Sequence, residues 1–263
     1  MEIKNTLVVS DLDGTLLNSE KNIDLETIKT INNLIKKGLK FTFATSRPFM
    51  IVKKYYETIN MDIPVVVSSR SMIYDFKKKD LIYSSNLSKE VIKIVLENDS
   101  RQRMVFHSSV GMIMSTKNPR FKQFVKEDYS FKPLDIEEYD LSNVKCGQIS
   151  ILAEYVLEDS MNKYKELLKD YDVRVFDTGG AVGIVNKDVS KANGIKKLIE
   201  LINVDEKDVV VFGDGYNDIE MFNCFKNSYA MGNSIEEIKR LSKSVTYDND
   251  HNGVAHALKD IFK

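Results

Sequence analysis

Thr6-Leu7-Val8-Val9-Ser10-Asp11-Leu12-Asp13-Gly14-Thr15 is a short apolar run that breaks off into two carboxylates. The run reads as a buried strand over residues 6–10, with Asp11 at its tip. Open α/β sheets place their ligands at the carboxyl ends of the strands, which is where Asp11 and Asp13 stand. Carboxylates this close repel each other unless a proton or a cation lies between them. An ordinary Asx-type turn leaving a strand is the plainer alternative. A calcium loop does not fit. Counting from Asp11, the sixth position is Leu16 where that loop needs glycine, and the twelfth is Asn22 where it needs glutamate.

Working outward, Leu25, Ile28, Ile31, Leu34 and Ile35 share one helical face, and Gly38 stops that helix. A strand follows at 40–44, then a further helix and an apolar run at 64–67. Alternation of this kind predicts a parallel sheet covered on both faces. The middle of the chain reads differently. Strands are expected at 112–115, 147–153 and 173–176, with Asp177-Thr178-Gly179-Gly180 as a hairpin loop. After about residue 187 the alternation returns. Ser190 caps a helix bearing Ile195, Leu198, Ile199 and Ile202, and strands are expected at 209–212, 228–231 and 244–247. The expected fold is α/β, a doubly wound, mainly parallel sheet with an inserted α+β domain. The core takes residues 1–82 and 188–263, and the insert takes 83–187.

Three further groups stand at strand ends or helix starts. Gly213-Asp214-Gly215-Tyr216-Asn217-Asp218 follows the 209–212 strand and opens a helix. Helix capping accounts for one of its carboxylates more readily than for two. Parallel neighbouring strands would bring Asp214 beside Asp11 and Asp13, and converging oxygens suit a hard cation such as magnesium. Ala44-Thr45-Ser46-Arg47 offers a hydroxyl and free N–H groups able to bind phosphate oxygens. Lys191 begins the helix capped by Ser190. Alone it reads as a solvent-facing charge; beside the other groups it can offset phosphate charge.

In this order and at these separations the four segments resemble the haloacid dehalogenase-like phosphatases, and most closely their Cof-type branch. The motifs are Asp11-Leu12-Asp13-Gly14-Thr15-Leu16-Leu17, Ala44-Thr45-Ser46-Arg47-Pro48, Val189-Ser190-Lys191 and the 213–218 segment. Ala230-Met231-Gly232-Asn233 and Asn249-Asp250 leading to Gly253-Val254-Ala255 add to the likeness. The resemblance implies an aspartyl-phosphate on Asp11, with Asp13 as acid and base. It implies magnesium held by Asp11, the Asp13 carbonyl and Asp214, with Asp218 orienting from behind. Leu12, Thr45, Ser46, Lys191 and Asn217 are expected to bind the phosphoryl oxygens. The implied reaction is hydrolysis of small-molecule phosphate monoesters, sugar phosphates or similar. A phosphomutase or phosphotransferase on the same scaffold is the alternative, since the motifs do not separate the two. The chain departs from the branch at Ser46, usually glycine, and at Ser69-Arg70-Ser71, usually Asn-Gly-Ala. Arg70 either reads a polar leaving group or points into solvent.

Composition excludes several other classes. Over 263 residues the formal net charge is -1, so no basic field draws nucleic acid. Lys36-Lys37 and Lys77-Lys78-Lys79 read as solvated faces. Cys146 and Cys224 are too few and too far apart for a disulfide framework or a zinc site, and they are expected as reduced thiols of a cytoplasmic protein. The amino terminus lacks the pattern of a signal peptide, and no apolar run reaches the roughly 20 residues of a membrane span. Oligomeric state leaves no mark in the sequence.

Overall fold

The computed structural model describes residues 2–68, 71–121, 132–153, 156–178 and 180–263. The chain forms two compact units. One comprises Met1–Arg47, Val52–Ile82 and Ser190–Lys263; the other comprises Pro48–Ile51 and Tyr83–Val189.

The first unit opens with strand β1 (Leu7–Ser10), helix α1 (Leu25–Lys36), β2 (Lys40–Phe43), α2 (Phe49–Thr58) and β3 (Val65–Val67). Leu7, Val8 and Val9 are fully buried, as a parallel strand covered on both faces requires. Helix α1 forms where its periodicity predicts, but Leu25 is 72% exposed. Ile31 and Leu34 of the predicted face are buried, Ile28 and Ile35 are half-buried, and Thr27 joins them. Leu25 is the first residue of the helix, and one turn earlier than the packed stripe it has nothing to cover it.

The sequence reading missed a hairpin. β4 (Met72–Asp75) pairs antiparallel with β3, and β5 (Asp80–Ser84) lies beyond it. Lys77-Lys78-Lys79 sits in the turn. The Asp75 carboxylate accepts from the N–H groups of Lys77 and Lys78, both at 3.0 Å. Ser69, Arg70 and Gly179, which the sequence singles out, lie outside the described residues.

The second unit is α+β, as expected for the middle of the chain. It contains α3 (Lys89–Asn98), β6 (Met104–Ser108), β7 (Gly111–Met114), β8 (Leu134–Asp135), β9 (Cys146–Leu152), α4 (Leu157–Leu167), β10 (Val173–Asp177) and β11 (Ala181–Asn186). Its sheet runs β10-β11-β9-β6-β7-β8 and is antiparallel except for the β7–β8 pair. Met104, Phe106, Ile149, Ile151, Val182 and Ile184 form a core with Val91, Ile92 and Val95 of α3 and Tyr164 of α4. The predicted 177–180 loop joins β10 to β11, where the Gly180 N–H donates to the Asp177 carboxylate at 3.0 Å.

The chain then returns to the first unit with α5 (Lys191–Ile202), β12 (Val209–Gly213), a single 3-10 turn (Tyr216–Asp218), α6 (Ile219–Cys224), β13 (Asn227–Ala230), α7 (Glu236–Leu241), β14 (Ser244–Val245) and α8 (Gly253–Ile261). The parallel sheet runs β14-β13-β12-β1-β2, and a bridge between Ala44 and Val66 carries it on to β3. From β1 the chain moves outward to β2. After the insertion it starts again on the other side, at β12. The strand order therefore reverses between β1 and β12, and at such a switch point the loops diverge and leave a crevice. Among the described residues no helix is long and apolar enough to cross a membrane.

Candidate active site

All the residues of the site lie in the first unit. β1 pairs with β12 in parallel register, Ser10 opposite Phe212, so Asp11 and Asp214 leave adjacent strands at nearly the same height. The Asp11 N–H donates to the Phe212 carbonyl at 3.0 Å, which carries the pairing one residue past β1. Gly14 adopts φ +74°, and a Cβ there would stand 2.4 Å from an Asp214 carboxylate oxygen. Only glycine gives both the left-handed turn and this approach. The same turn brings the Thr15 hydroxyl to Asp214, donating at 2.6 Å.

Lys191 is fully buried. The Ser190 hydroxyl accepts from the Asn193 N–H at 3.2 Å, capping α5 and placing Lys191 as its first residue. Its Nζ lies 2.7 Å from Asp11 Oδ2 and 2.5 Å from Asp218 Oδ1. The other Asp218 oxygen accepts from the N–H groups of Asp214 and Gly215, at 2.9 and 3.0 Å. Both Asp218 oxygens are thus committed, and the residue ties the Asp214 loop to Lys191. The plainer alternative for Lys191, a solvent-facing charge, does not hold, and the residue stands beside the other groups as expected of it in that company. A charged lysine is tolerated without water where carboxylates replace its hydration.

Carboxylate oxygens of Asp11, Asp214 and Asp218 come within 4.8 Å of one another. Burial lifts the Asp11 carboxyl well above the usual carboxylate range; Lys191 draws it back and the charge of Asp218 pushes it higher. Burial raises Asp214 as well, against the Thr15 hydrogen bond and with the charge of Asp218. Three carboxylates face one ammonium here. The oxygens of Asp11 and Asp214 suit a hard divalent cation, whose charge would relieve that excess.

Asp13 lies apart from this buried cluster and is half-exposed. Arg47 Nε donates to its Oδ2 at 2.7 Å and Nη2 to its Oδ1 at 2.6 Å, with Lys21 Nζ 3.3 Å from Oδ1. Burial works to raise the Asp13 carboxyl, but the hydrogen bonds and charge of Arg47, joined by Lys21, outweigh it and hold it below the usual range.

The expected phosphate binders divide. The Leu12 N–H donates to Asp11 Oδ1 at 2.7 Å, beside the would-be nucleophile. Thr45 is buried just past β2, next to β1, and its hydroxyl accepts from the Arg47 N–H at 3.2 Å. Ser46 and Asn217 are exposed at the same ends of the strands. The sequence reading gave no role to Thr15, Lys21, Arg47 or Tyr55. Thr15 and Arg47 stood inside quoted motifs, but their partners lie 199 and 34 residues away. Asn233 and Asn249 brace the loop after β1, donating to the carbonyls of Gly14 and Leu17 at 2.8 and 2.9 Å.

The chain resembles known proteins along nearly its whole length. MG265 of Mycoplasma genitalium, a candidate phosphatase, is 30% identical over 98% of both chains. The 5-amino-6-(5-phospho-D-ribitylamino)uracil phosphatase YitU of Bacillus subtilis is 24% identical over 100% of this chain and 99% of its own. The crystal structure of TM0651 from Thermotoga maritima superposes with a TM-score of 0.87 at 24% identity, covering 98% of each chain, and so shares the fold. The sequence pattern of the haloacid dehalogenase-like hydrolases matches residues 8–258. With that match spanning nearly all of its length, the chain belongs to the haloacid dehalogenase-like hydrolases, in their Cof-type branch.

Proposed function

We propose that this protein is a magnesium-dependent phosphatase of small-molecule phosphate monoesters, with Asp11 as its nucleophile. The buried Asp11–Lys191–Asp218 cluster carries this reading. Stability alone gives little reason to bury a lysine among carboxylates at the end of a sheet. A site that must bind a dianion and attack it has that reason.

Asp11 attacks phosphorus, forming an O–P bond as the ester O–P bond breaks. Asp13 gives a proton to the departing alkoxide, then takes one from the water that hydrolyses the aspartyl-phosphate. The Leu12 N–H, Thr45, Ser46, Lys191 and Asn217 bind the phosphoryl oxygens. Asp11, the Asp13 carbonyl and Asp214 would hold magnesium, and Asp218 keeps Asp214 and Lys191 in place. When bound, the metal supplies positive charge that offsets the repulsion between an anionic carboxylate and an anionic phosphate.

The name of YitU points to a phosphorylated ribityl compound for that enzyme. We therefore take phosphorylated sugars and polyols as the first substrates to test. Purified protein should release phosphate from members of such a panel with water as the only acceptor. That outcome separates hydrolysis from transfer to a second sugar. Asp11→Asn keeps the size of the side chain and should abolish release while the protein stays folded. Substantial turnover by this variant with magnesium present would remove Asp11 from the chemistry.

A further inference from the structure

The reading above leaves Arg47 without a part, yet its side chain is only 14% exposed and grips an Asp13 carboxylate that is 42% exposed. The grip is side-on and bidentate, through Nε and Nη2 at 2.7 and 2.6 Å. Its remaining Nη1 donates to the Tyr55 hydroxyl at 3.2 Å, and that hydroxyl donates to the Lys21 carbonyl at 3.2 Å. The Tyr55 ring is 4% exposed and its centroid lies 5.5 Å from the guanidinium carbon. The main chain of Arg47 is pinned too, with its N–H on the Thr45 hydroxyl at 3.2 Å and its carbonyl accepting from the Ser68 N–H at 2.8 Å.

A loose ion pair to a half-exposed carboxylate contributes little and leaves the aspartate free to turn. A planar guanidinium braced by a buried tyrosine does something else. It fixes the plane of the carboxylate and the direction of both oxygens.

We propose that Arg47, braced by Tyr55, is the positioning residue for Asp13, holding its carboxyl group in the orientation from which the proton passes to and from the leaving-group oxygen. This rests on the phosphatase reading of Asp11 and Asp13. In the first half-reaction Asp11 forms its bond to phosphorus, the ester bond breaks, and the Asp13 proton passes to the alkoxide. As the acid, Asp13 keeps an Arg47 N–H on one oxygen and carries the proton on the other; once that proton has gone to the alkoxide, both oxygens accept from Arg47, as they do here. In the second half-reaction water attacks the aspartyl-phosphate, its proton returns to Asp13, and phosphate leaves.

Proton donation matters for an alkoxide leaving group and little for 4-nitrophenolate, which departs as a stable anion. The test is therefore kcat/KM, which reports the steps up to leaving-group departure, measured for glycerol phosphate and for 4-nitrophenyl phosphate. Asp13→Asn should slow the glycerol ester by about 10²-fold or more beyond its effect on the aryl ester. Arg47→Ala should widen the same ratio by at least about tenfold, part of the general-acid contribution. Arg47→Lys should not restore it, because an ammonium makes no bidentate contact. Tyr55→Phe, which removes only the hydroxyl, should widen it by less, and it carries the test should Arg47→Ala fail to fold. Combining Asp13→Asn with Arg47→Ala should widen the ratio no further than Asp13→Asn alone. The proposal is overturned if the Arg47 variants slow both esters by one common factor while Asp13→Asn separates them. If Asp13→Asn fails to separate the esters, the acid role of Asp13 falls and the positioning role with it. An active Asp11→Asn would instead fault the nucleophile.

Discussion

Lys191 has no solvent exposure, and Asp11 and Asp218, which hold it, are nearly as deep. Its ammonium replaces lost hydration with contacts at 2.7 and 2.5 Å. Removing the cation leaves two buried carboxylates facing each other beside a third. Lys191→Met nearly keeps the volume and removes the charge. It should lower stability by about 3–5 kcal/mol, the usual cost of stripping one partner from a buried ion pair. It should also abolish phosphate release. Urea unfolding of the metal-free protein measures the first effect, and a loss below about 1 kcal/mol would place Lys191 among groups of surface strength.

β6 and β9 show how a strand's two faces take different work. Phe106 and Ile149 enter the hydrophobic core of the second unit, while His107 and Gln148 pair across the opposite face. His107 Nε2 lies 3.2 Å from the Ser150 hydroxyl, and its Nδ1 has no partner among the described residues. Burial pushes the His107 imidazole down to about 4 from the ordinary 6.5. The unfolded chain then binds the extra proton first, so stability is whole above the ordinary value and falls as pH drops toward 4. At pH 5 this group alone should cost about 2 kcal/mol. The measurement is urea unfolding at pH 7 and pH 5 for the native protein and His107→Gln. The variant should lose less stability between the two, and an equal loss would assign the acid sensitivity to other groups. The β4–β5 hairpin teaches a related point. Lys77-Lys78-Lys79 reads as a charged surface run and is exposed, and Asp75 in addition gathers the N–H groups of Lys77 and Lys78 into a turn, with Lys79 at φ +55°.

The groups that bear the proposed chemistry all belong to the unit built from the two ends of the chain, and the 83–187 insert contributes none of them. The four motifs contain nothing that tells one alcohol from another, and the insert is the candidate for that choice. Exchange of residues 83–187 for the corresponding segment of a relative should then change the ranking of substrates. The magnesium requirement, read as loss of activity on chelation and its return with added magnesium, should stay with the core. A ranking that stayed with the core would move specificity to loops such as the one containing Ser71.

The parallel α/β class and the strand ends at Asp11 and Asp214 were legible in the sequence, because each is written in a short window. An apolar run ending at Asp11, another ending at Asp214, and a capped helix starting at Lys191 are local patterns of period, turn and cap. The resemblance of the motifs supplied the roles proposed for them. The strand order that puts β12 beside β1 lies in no window, since some 200 residues separate the partners and register follows from how the whole sheet packs. That order makes Lys191 a buried counter-ion where its neighbours in sequence describe a surface lysine. It likewise sets Thr15 against Asp214, and the fold of the first unit closes Arg47 and Tyr55 around Asp13. Charge, burial and hydrogen-bond direction depend on which groups meet in space, and for these residues the partners come from distant parts of the chain.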